Sequence, residues 1–221
     1  MRRLVVGDIH GAYKALMDVL EKAEFNPKKD MLIGIGDYVD GYSQTFEVIE
    51  YLRTLPHFIG VRGNHDDFFL EWTDNSEKHP NYLWTSQGGI ATLKSYNYQI
   101  NEVHKKFLET LPYYIELDNK LFVHGGYNPQ YAIDYQYGYD LTWNRNLIRS
   151  AVLKRPLDSI IYDKVFLGHT ALKKVFISEK VIGIDTGAGW QEKLTIMDID
   201  TLDYWQSLPT AELYPHEQGR N

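Results

Sequence analysis

The sequence predicts an α/β protein built as a two-layer β-sandwich flanked by α-helices, with its functional site at the ends of the strands. Three observations predict it. A strand, a loop and a helix recur through the first part of the chain, the signature of βαβ units around a sheet covered on both faces. Strand-length apolar runs dominate the second half. In both halves, short motifs of Asp, His, Asn and Gly follow those runs, where ligands gather in open α/β sheets.

Leu4–Val6 is the first strand, and Tyr13–Glu24 is a helix with Ala15, Leu16, Val19 and Leu20 at helical spacing and Pro27 just beyond. Met31–Ile35 is a second strand, Thr45–Leu55 a second helix closed by Pro56, and Phe58–Val61 a third strand. Asp66–Leu111 reads as mostly helical, best over Ile90–Tyr96 and Glu102–Leu111, with an exposed loop over Asp74–Pro80. Later strands are expected at Tyr113–Leu117, Leu121–Val123, Val165–Leu167, Val175–Ile177, Val181–Ile184 and Leu194–Asp198. Asn119-Lys120 and Glu179-Lys180 stand where hairpin turns are needed. Asn128–Tyr139, aromatic and Gly-containing, reads as a long surface loop near the site.

A length of 221 residues sets a single domain as the expectation, spanning 1–221 with 199–221 as a tail without a recognisable motif. With 43% apolar and 14% aromatic residues the chain can build a core. The formal charge of −7 provides no basic footprint for nucleic acid or an anionic membrane. Cysteine is absent, which excludes disulfides, thiolate zinc sites and a thiol nucleophile. The N-terminal Met1-Arg2-Arg3-Leu4-Val5-Val6 runs straight into the first motif without a secretory h-region, and no apolar run reaches the length of a membrane span. The cytoplasm is the expected compartment.

Six motifs carry the chemistry: Gly7-Asp8-Ile9-His10-Gly11, Gly36-Asp37-Tyr38-Val39-Asp40-Gly41, Gly63-Asn64-His65-Asp66, His124-Gly125-Gly126, Gly168-His169-Thr170 and Asp185-Thr186-Gly187. Carboxylate, amide and imidazole groups suit hard or borderline divalent metals. Asp8 and His10 lie two apart, so an extended segment can point both the same way. Asn64 and His65 are adjacent and diverge, so one can bind metal while the other faces substrate. A lone Gly-Asp is a turn, and a lone His after a strand is usually structural. The joint occurrence of all six defeats those readings. Asp66 and Asp67 read as N-cap and first-turn charge of the helix they open.

Together the motifs resemble those of the calcineurin-like metallophosphoesterases, in particular the phosphoprotein phosphatases of bacteria and bacteriophages and the related diadenosine tetraphosphatases. Trp143-Asn144-Arg145 and Phe166-Leu167-Gly168-His169-Thr170 extend the similarity into the second half, so that it covers roughly residues 3–198. The resemblance implies two divalent metal ions, with Mn²⁺ preferred and Fe, Zn²⁺ or Mg²⁺ as alternatives. It implies that Asp8, His10 and Asp37 hold one ion, and that Asp37, Asn64, His124 and His169 hold the other. A bridging water would then attack phosphorus in line. His65 is similar to the family's general acid, Asp40 to its orienting carboxylate, and Arg145 to a phosphate-binding arginine. Asn64 would also meet the substrate.

The chain departs from this pattern at Gly41-Tyr42, where the family usually has Arg-Gly and that Arg is a second phosphate ligand. One cationic clamp is therefore missing unless another side chain fills in, and Tyr42 and Arg62 are the candidates. The function implied is hydrolysis of phosphomonoesters, foremost phosphoserine and phosphothreonine in proteins, with phosphotyrosine as an extension. The alternative is a dinucleoside polyphosphate hydrolase, whose adenine the tyrosines of 127–139 could stack. A catalytically dead metal-binding interaction protein is disfavoured because every ligand is intact. The expected partner is a phosphorylated protein or a small phosphate ester.

Overall fold

The apolar runs form strands with both faces covered, which is why they read as continuous rather than alternating. The structure is a computed structural model and describes residues 1–74 and 80–220. Strands β1 (Arg3–Val6), β2 (Met31–Gly34) and β3 (Phe58–Gly60) pair in parallel, with Val5 beside Ile33 and Ile33 beside Ile59. A second sheet holds β4 (Tyr114–Leu117), β5 (Lys120–Val123), β6 (Lys164–Leu167), β7 (Phe176–Ile177) and β8 (Val181–Gly183), in the order β4-β5-β6-β8-β7. Its central strands β5, β6 and β8 are parallel. The chain then returns to the first sheet, where β9 (Thr195–Asp198) pairs antiparallel with β1 and β10 (Tyr204–Gln206) extends the edge.

Side chains of successive strand residues point to opposite faces and sort into three layers. Between the sheets lie Val5, Ile33, Ile35, Phe122, Phe166 and Met197. The Phe122 and Phe166 rings stack there, with centroids 4.9 Å apart and planes within 8°. Leu4, Val6, Leu32 and Ile196 face outward from the first sheet, onto α1 (Tyr13–Lys22) and α2 (Thr45–Thr54) through Leu16, Val19, Val48 and Ile49. The helix α3 (Asn64–Asp74) follows β3 directly. Next come the single turn α4 (Tyr82–Trp84), a wide turn over Thr85–Gly89, α5 (Ile90–Ser95) and α6 (Glu102–Thr110). Leu121, Val123, Val165 and Leu167 face outward from the second sheet, onto α8 (Asn146–Val152), which follows α7 (Gly138–Trp143). A short helix α9 (Thr210–Leu213) closes the regular structure.

The expected two-layer sandwich is the observed one, with local differences. The first hairpin turns at Asp118-Asn119, both left-handed at φ 47° and 56°, one residue before the expected position. Residues 128–139 are not wholly irregular, since Ile133–Tyr135 is a 3₁₀ turn and α7 begins at Gly138. The strand β10 was not expected because its residues are only partly buried at the sheet edge. Of the loop expected over Asp74–Pro80, residues 75–79 lie outside the described residues. Among the described residues, no helix is long and apolar enough to cross a membrane.

Candidate metal centre and active site

Every motif sits just past the carboxyl end of a strand, and the two sheets bring those ends together. Asp8 and His10 follow β1, Asp37 follows β2, and Asn64 and His65 open α3 after β3. His124 follows β5, His169 follows β6 and Asp185 follows β8. All eight side chains are buried. Four residues of this set or beside it adopt left-handed backbone: His10 (φ 50°), Asp37 (52°), Asp40 (73°) and His169 (62°). Such conformations cost on the order of 1 kcal/mol or more each and persist where the surroundings fix them. Close approach of the loops requires glycine. A Cβ at Gly63 would stand 2.2 Å from Asp37 Oδ1, and one at Gly168 would stand 2.2 Å from Asp8 Oδ1.

The donor atoms fall into two groups that share Asp37. Asp8, His10 and Asp37 form one, and Asp37, His124 and His169 the other, each with ligand atoms within 4.8 Å of one another. His10 Nδ1–H donates to the Val39 carbonyl at 3.1 Å, and His124 Nδ1–H donates to the Ile35 carbonyl at 2.9 Å. Both rings therefore aim Nε2 at Asp37 Oδ2, at 3.6 Å and 3.3 Å. Backbone carbonyls that fix the ring in this way are the usual support of metal-binding imidazoles. Asn64 Oδ1 lies 3.1 Å from His124 Nε2, which adds its amide to the second group. Asp8 Oδ1, Asp37 Oδ2 and His169 Nε2 are all buried without a hydrogen-bond partner. Buried acceptors of this kind are costly unless something satisfies them.

The electrostatics point the same way. Burial opposes a charge on His124, but Asp37 and Asp8 outweigh it and raise its pKa to about 10. Burial, then Asp185, drives the Asp8 carboxyl well above the usual range. Asp37 is pulled well below that range because His124 and His65 overcome its burial. The carboxylates create a field that calls for positive charge at this place. Carboxylate, imidazole and amide donors with unsatisfied lone pairs fit a pair of divalent cations.

Beside the metal-type ligands lies a second, fully buried couple. His65 Nδ1–H donates to Asp40 Oδ2, and its Nε2 is buried with no partner. Asp40 is itself held by Trp84 Nε1–H, at 2.9 Å and 2.8 Å from its two oxygens, and by the Thr92 hydroxyl at 2.8 Å. Neither Trp84 nor Thr92 stands out in sequence. The role of Asp66 is also wider than a helix first-turn charge. Its Oδ2 accepts from the amides of Asp37 and Gly63, both at 2.9 Å, and its Oδ1 accepts from Tyr38 at 3.0 Å. It thereby ties the Asp37 loop to the start of α3. Asp185, whose carboxylate acts on Asp8, had a motif but no assigned role.

Arg145 is half-buried at the rim. Tyr139, Trp143, Asn144, Arg145 and Arg149 line a cavity of about 340 Å³ there. Burial, then the Arg149 and Arg220 cations, push the Arg145 pKa down, so the rim concentrates positive charge. The Trp143 ring stands edge-on to His169 with centroids 5.6 Å apart and joins the rim to the metal-type ligands. The structure thus gathers Asp8, His10, Asp37, Asp40, Asn64, His65, His124 and His169, with Arg145 beside them. Tyr42 and Arg62 are engaged elsewhere. The Tyr42 ring is fully buried against Tyr214, and the Arg62 guanidinium contacts Asp67 and the carbonyls of Glu109 and Leu111.

Comparison with known proteins adds a common origin to this geometry. Residues 1–200 match the family model described as calcineurin-like phosphoesterase. The chain is 29% identical over 204 residues to Serine/threonine-protein phosphatase 1 of Salmonella typhimurium, covering 88% of this chain and 90% of that protein. A shorter stretch of 66 residues is 36% identical to a symmetrical bis(5'-nucleosyl)-tetraphosphatase of Coxiella burnetii, covering 30% of this chain and 23% of that protein. Among solved structures, a putative diadenosine tetraphosphatase superposes with a TM-score of 0.73 at 23% identity, covering 94% of this chain and 93% of that one.

Proposed function

Because the chain belongs to the calcineurin-like phosphoesterase family and is therefore a phosphoric ester hydrolase, we propose that it is a dimetal phosphomonoesterase acting on phosphoserine and phosphothreonine in proteins, with phosphotyrosine as an extension. The observation that carries this reading is the pair of ligand groups joined at Asp37, with Asp8 Oδ1, Asp37 Oδ2 and His169 Nε2 left unsatisfied around it. Asp8, His10 and Asp37 would hold one cation, and Asp37, Asn64, His124 and His169 the other. Manganese is the metal we favour for this mixed donor set. When bound, the pair supplies Lewis acidity to the phosphoryl oxygens and an activated water as nucleophile.

The protein's own residues do the rest. His65 Nε2 is the buried atom that hands a proton to the leaving oxygen, and Asp40 holds the ring from the other nitrogen. Arg145 meets the phosphoryl group with a fork of donors. Phosphoproteins have the best claim as substrates, since the Salmonella relative named as a protein phosphatase is similar over 88% of this chain. We read residues 1–221 as one catalytic domain working in the cytoplasm.

A second reading, hydrolysis of dinucleoside polyphosphates, draws on the exposed tyrosines 131, 135, 137 and 139. Tyr139 stacks on Trp143 beside Arg145, an arrangement that could hold a base next to a phosphate chain. A substrate panel separates the two. Phosphopeptides, p-nitrophenyl phosphate and diadenosine tetraphosphate would each be assayed with Mn²⁺, Mg²⁺, Zn²⁺ and Fe²⁺. Efficient turnover of phosphopeptides with Mn²⁺ is the expected outcome. Preference for the dinucleotide by a wide margin in kcat/KM would transfer the assignment to the second reading.

A further inference from the structure

We infer that Arg220 supplies the second phosphate-binding cation of the active site, delivered by the segment after α9 into the space opened by Gly41. The inference rests on the phosphoesterase reading and names the residue that completes its substrate grip.

The segment is pinned by the residues that immediately follow Gly41. The Tyr42 ring packs against Tyr214 with centroids 4.6 Å apart, and its hydroxyl donates to Thr210 Oγ1 at 2.8 Å. The Ser43 amide and hydroxyl both donate to the Glu217 carboxylate at 2.8 Å. At Gly219 (φ 72°) the backbone passes so close to Tyr42 that a Cβ would meet the phenol oxygen at 2.8 Å. The Arg220 amide then donates to the Gly189 carbonyl at 2.8 Å. Tyr42 thus has a defined use, as the anchor of this segment.

The side chain of Arg220 runs through a cradle of glycines. Its Cγ lies 3.4 Å from where a Cβ would stand on Gly41 and on Gly88, and its Cδ lies 3.1 Å from the same point on Gly189. A bulky residue at position 41 would compete for this channel. The guanidinium ends among the site residues. Nη1 lies 3.2 Å from His10 Nε2, Nη2 donates to Gln87 Oε1 at 3.2 Å, and the group sits over the Trp190 ring at 5.0 Å. Its Nε is buried without a partner. Arg145 and Arg220, far apart in sequence, lie near enough for their cations to act on each other electrostatically. Two arginines beside a centre of divalent ions suit a tetrahedral dianion, because guanidinium forks match phosphoryl oxygens. The position where family members carry the arginine and the atom that replaces it are therefore linked: Gly41 provides the room, and Tyr42 and Ser43 hold the segment that fills it.

The test uses the full chain loaded with Mn²⁺. R220A and R220K would be compared with the wild type in metal content, in KM and kcat for p-nitrophenyl phosphate, and in affinity for inorganic phosphate by calorimetry. With R220A, phosphate affinity should fall about tenfold or more and KM should rise in step, with metal content unchanged. R220K should recover only part, since an ammonium lacks the planar fork. Guanidinium ion added to R220A should restore phosphate affinity, an effect that a merely structural role would not give. Unchanged KM and phosphate affinity in R220A would overturn the inference. So would tighter metal binding without weaker phosphate binding, which would make Arg220 a competitor of the metal. Calorimetry keeps this test separate from the functional reading: wild-type protein that binds phosphate but hydrolyses no phosphomonoester defeats that reading, while the R220A comparison still decides the role of Arg220.

Discussion

His65 Nδ1 lies 2.5 Å from Asp40 Oδ2, and both side chains are completely shielded from solvent. The opposite nitrogen of the ring, Nε2, is left free and aimed into the site. An imidazole fixed at one nitrogen and unpaired at the other is built to move a proton to or from a substrate. Neither group of metal-type ligands includes His65, whose ring meets that of His10 edge to face at 5.1 Å.

His65→Asn should therefore lower kcat by about 10²–10⁴ while two metal ions remain bound. The loss should shrink for esters with acidic leaving groups, which need little protonation. Metal content by elemental analysis, alongside kinetics on phenyl and p-nitrophenyl phosphate, checks both parts. Loss of one metal would move His65 into the ligand set.

Trp84→Phe removes the N–H that reaches both oxygens of Asp40 and keeps an aromatic ring in the core. A hydrogen bond to a charged group is worth about 1.5–3 kcal/mol, so kcat should fall roughly tenfold or more with KM little changed. Equal kcat in the variant would show that Thr92 and His65 alone suffice to hold Asp40.

Asp66→Ala should destabilise the protein by on the order of 3 kcal/mol or more, because it strands three buried amides, those of Asp37, Tyr38 and Gly63. Urea unfolding measures this directly. A loss below about 1 kcal/mol would mean that water or relaxation replaces the carboxylate.

One stability term should depend on pH in acid. Burial alone would raise the Asp30 pKa, but the Arg2 ion pair and the Asn26 amide more than offset it and hold the folded-state value below 3.8. A carboxylate depressed in the folded state adds stability that is present above its unfolded pKa and is lost as pH falls through the folded one. Asp30→Asn should cost about 1 kcal/mol at pH 7. The difference should fade below the ordinary carboxylate pKa of about 3.9. Unfolding curves at pH 7 and pH 3 check it, and a difference that grew in acid would contradict the sign.

The strands and the metal-type ligands were legible for one reason: strands buried on both faces appear as unbroken apolar runs, and their ligands stand immediately after them. Val165-Phe166-Leu167 followed by Gly168-His169 is an example. What sequence reasoning missed is held by long-range contacts without local pattern. Trp84 and Thr92 reach Asp40 from 44 and 52 residues away, and Arg220 reaches His10 from 210. The mismatch at Gly41-Tyr42 was visible, but nothing near it in sequence indicated which residue answers it. Edge strand β10 was missed because a half-exposed Tyr204-Trp205-Gln206 has neither alternation nor an apolar run.

Two divalent ions sharing Asp37 are what the ligand groups call for. Crystals grown with Mn²⁺ and measured at the manganese absorption edge test it most directly. Two anomalous peaks about 3.5–4 Å apart are the expected result. One peak should be bordered by Asp8 and His10, the other by Asn64, His124 and His169, with Asp37 between them. A single peak, or peaks away from Asp37, would contradict it.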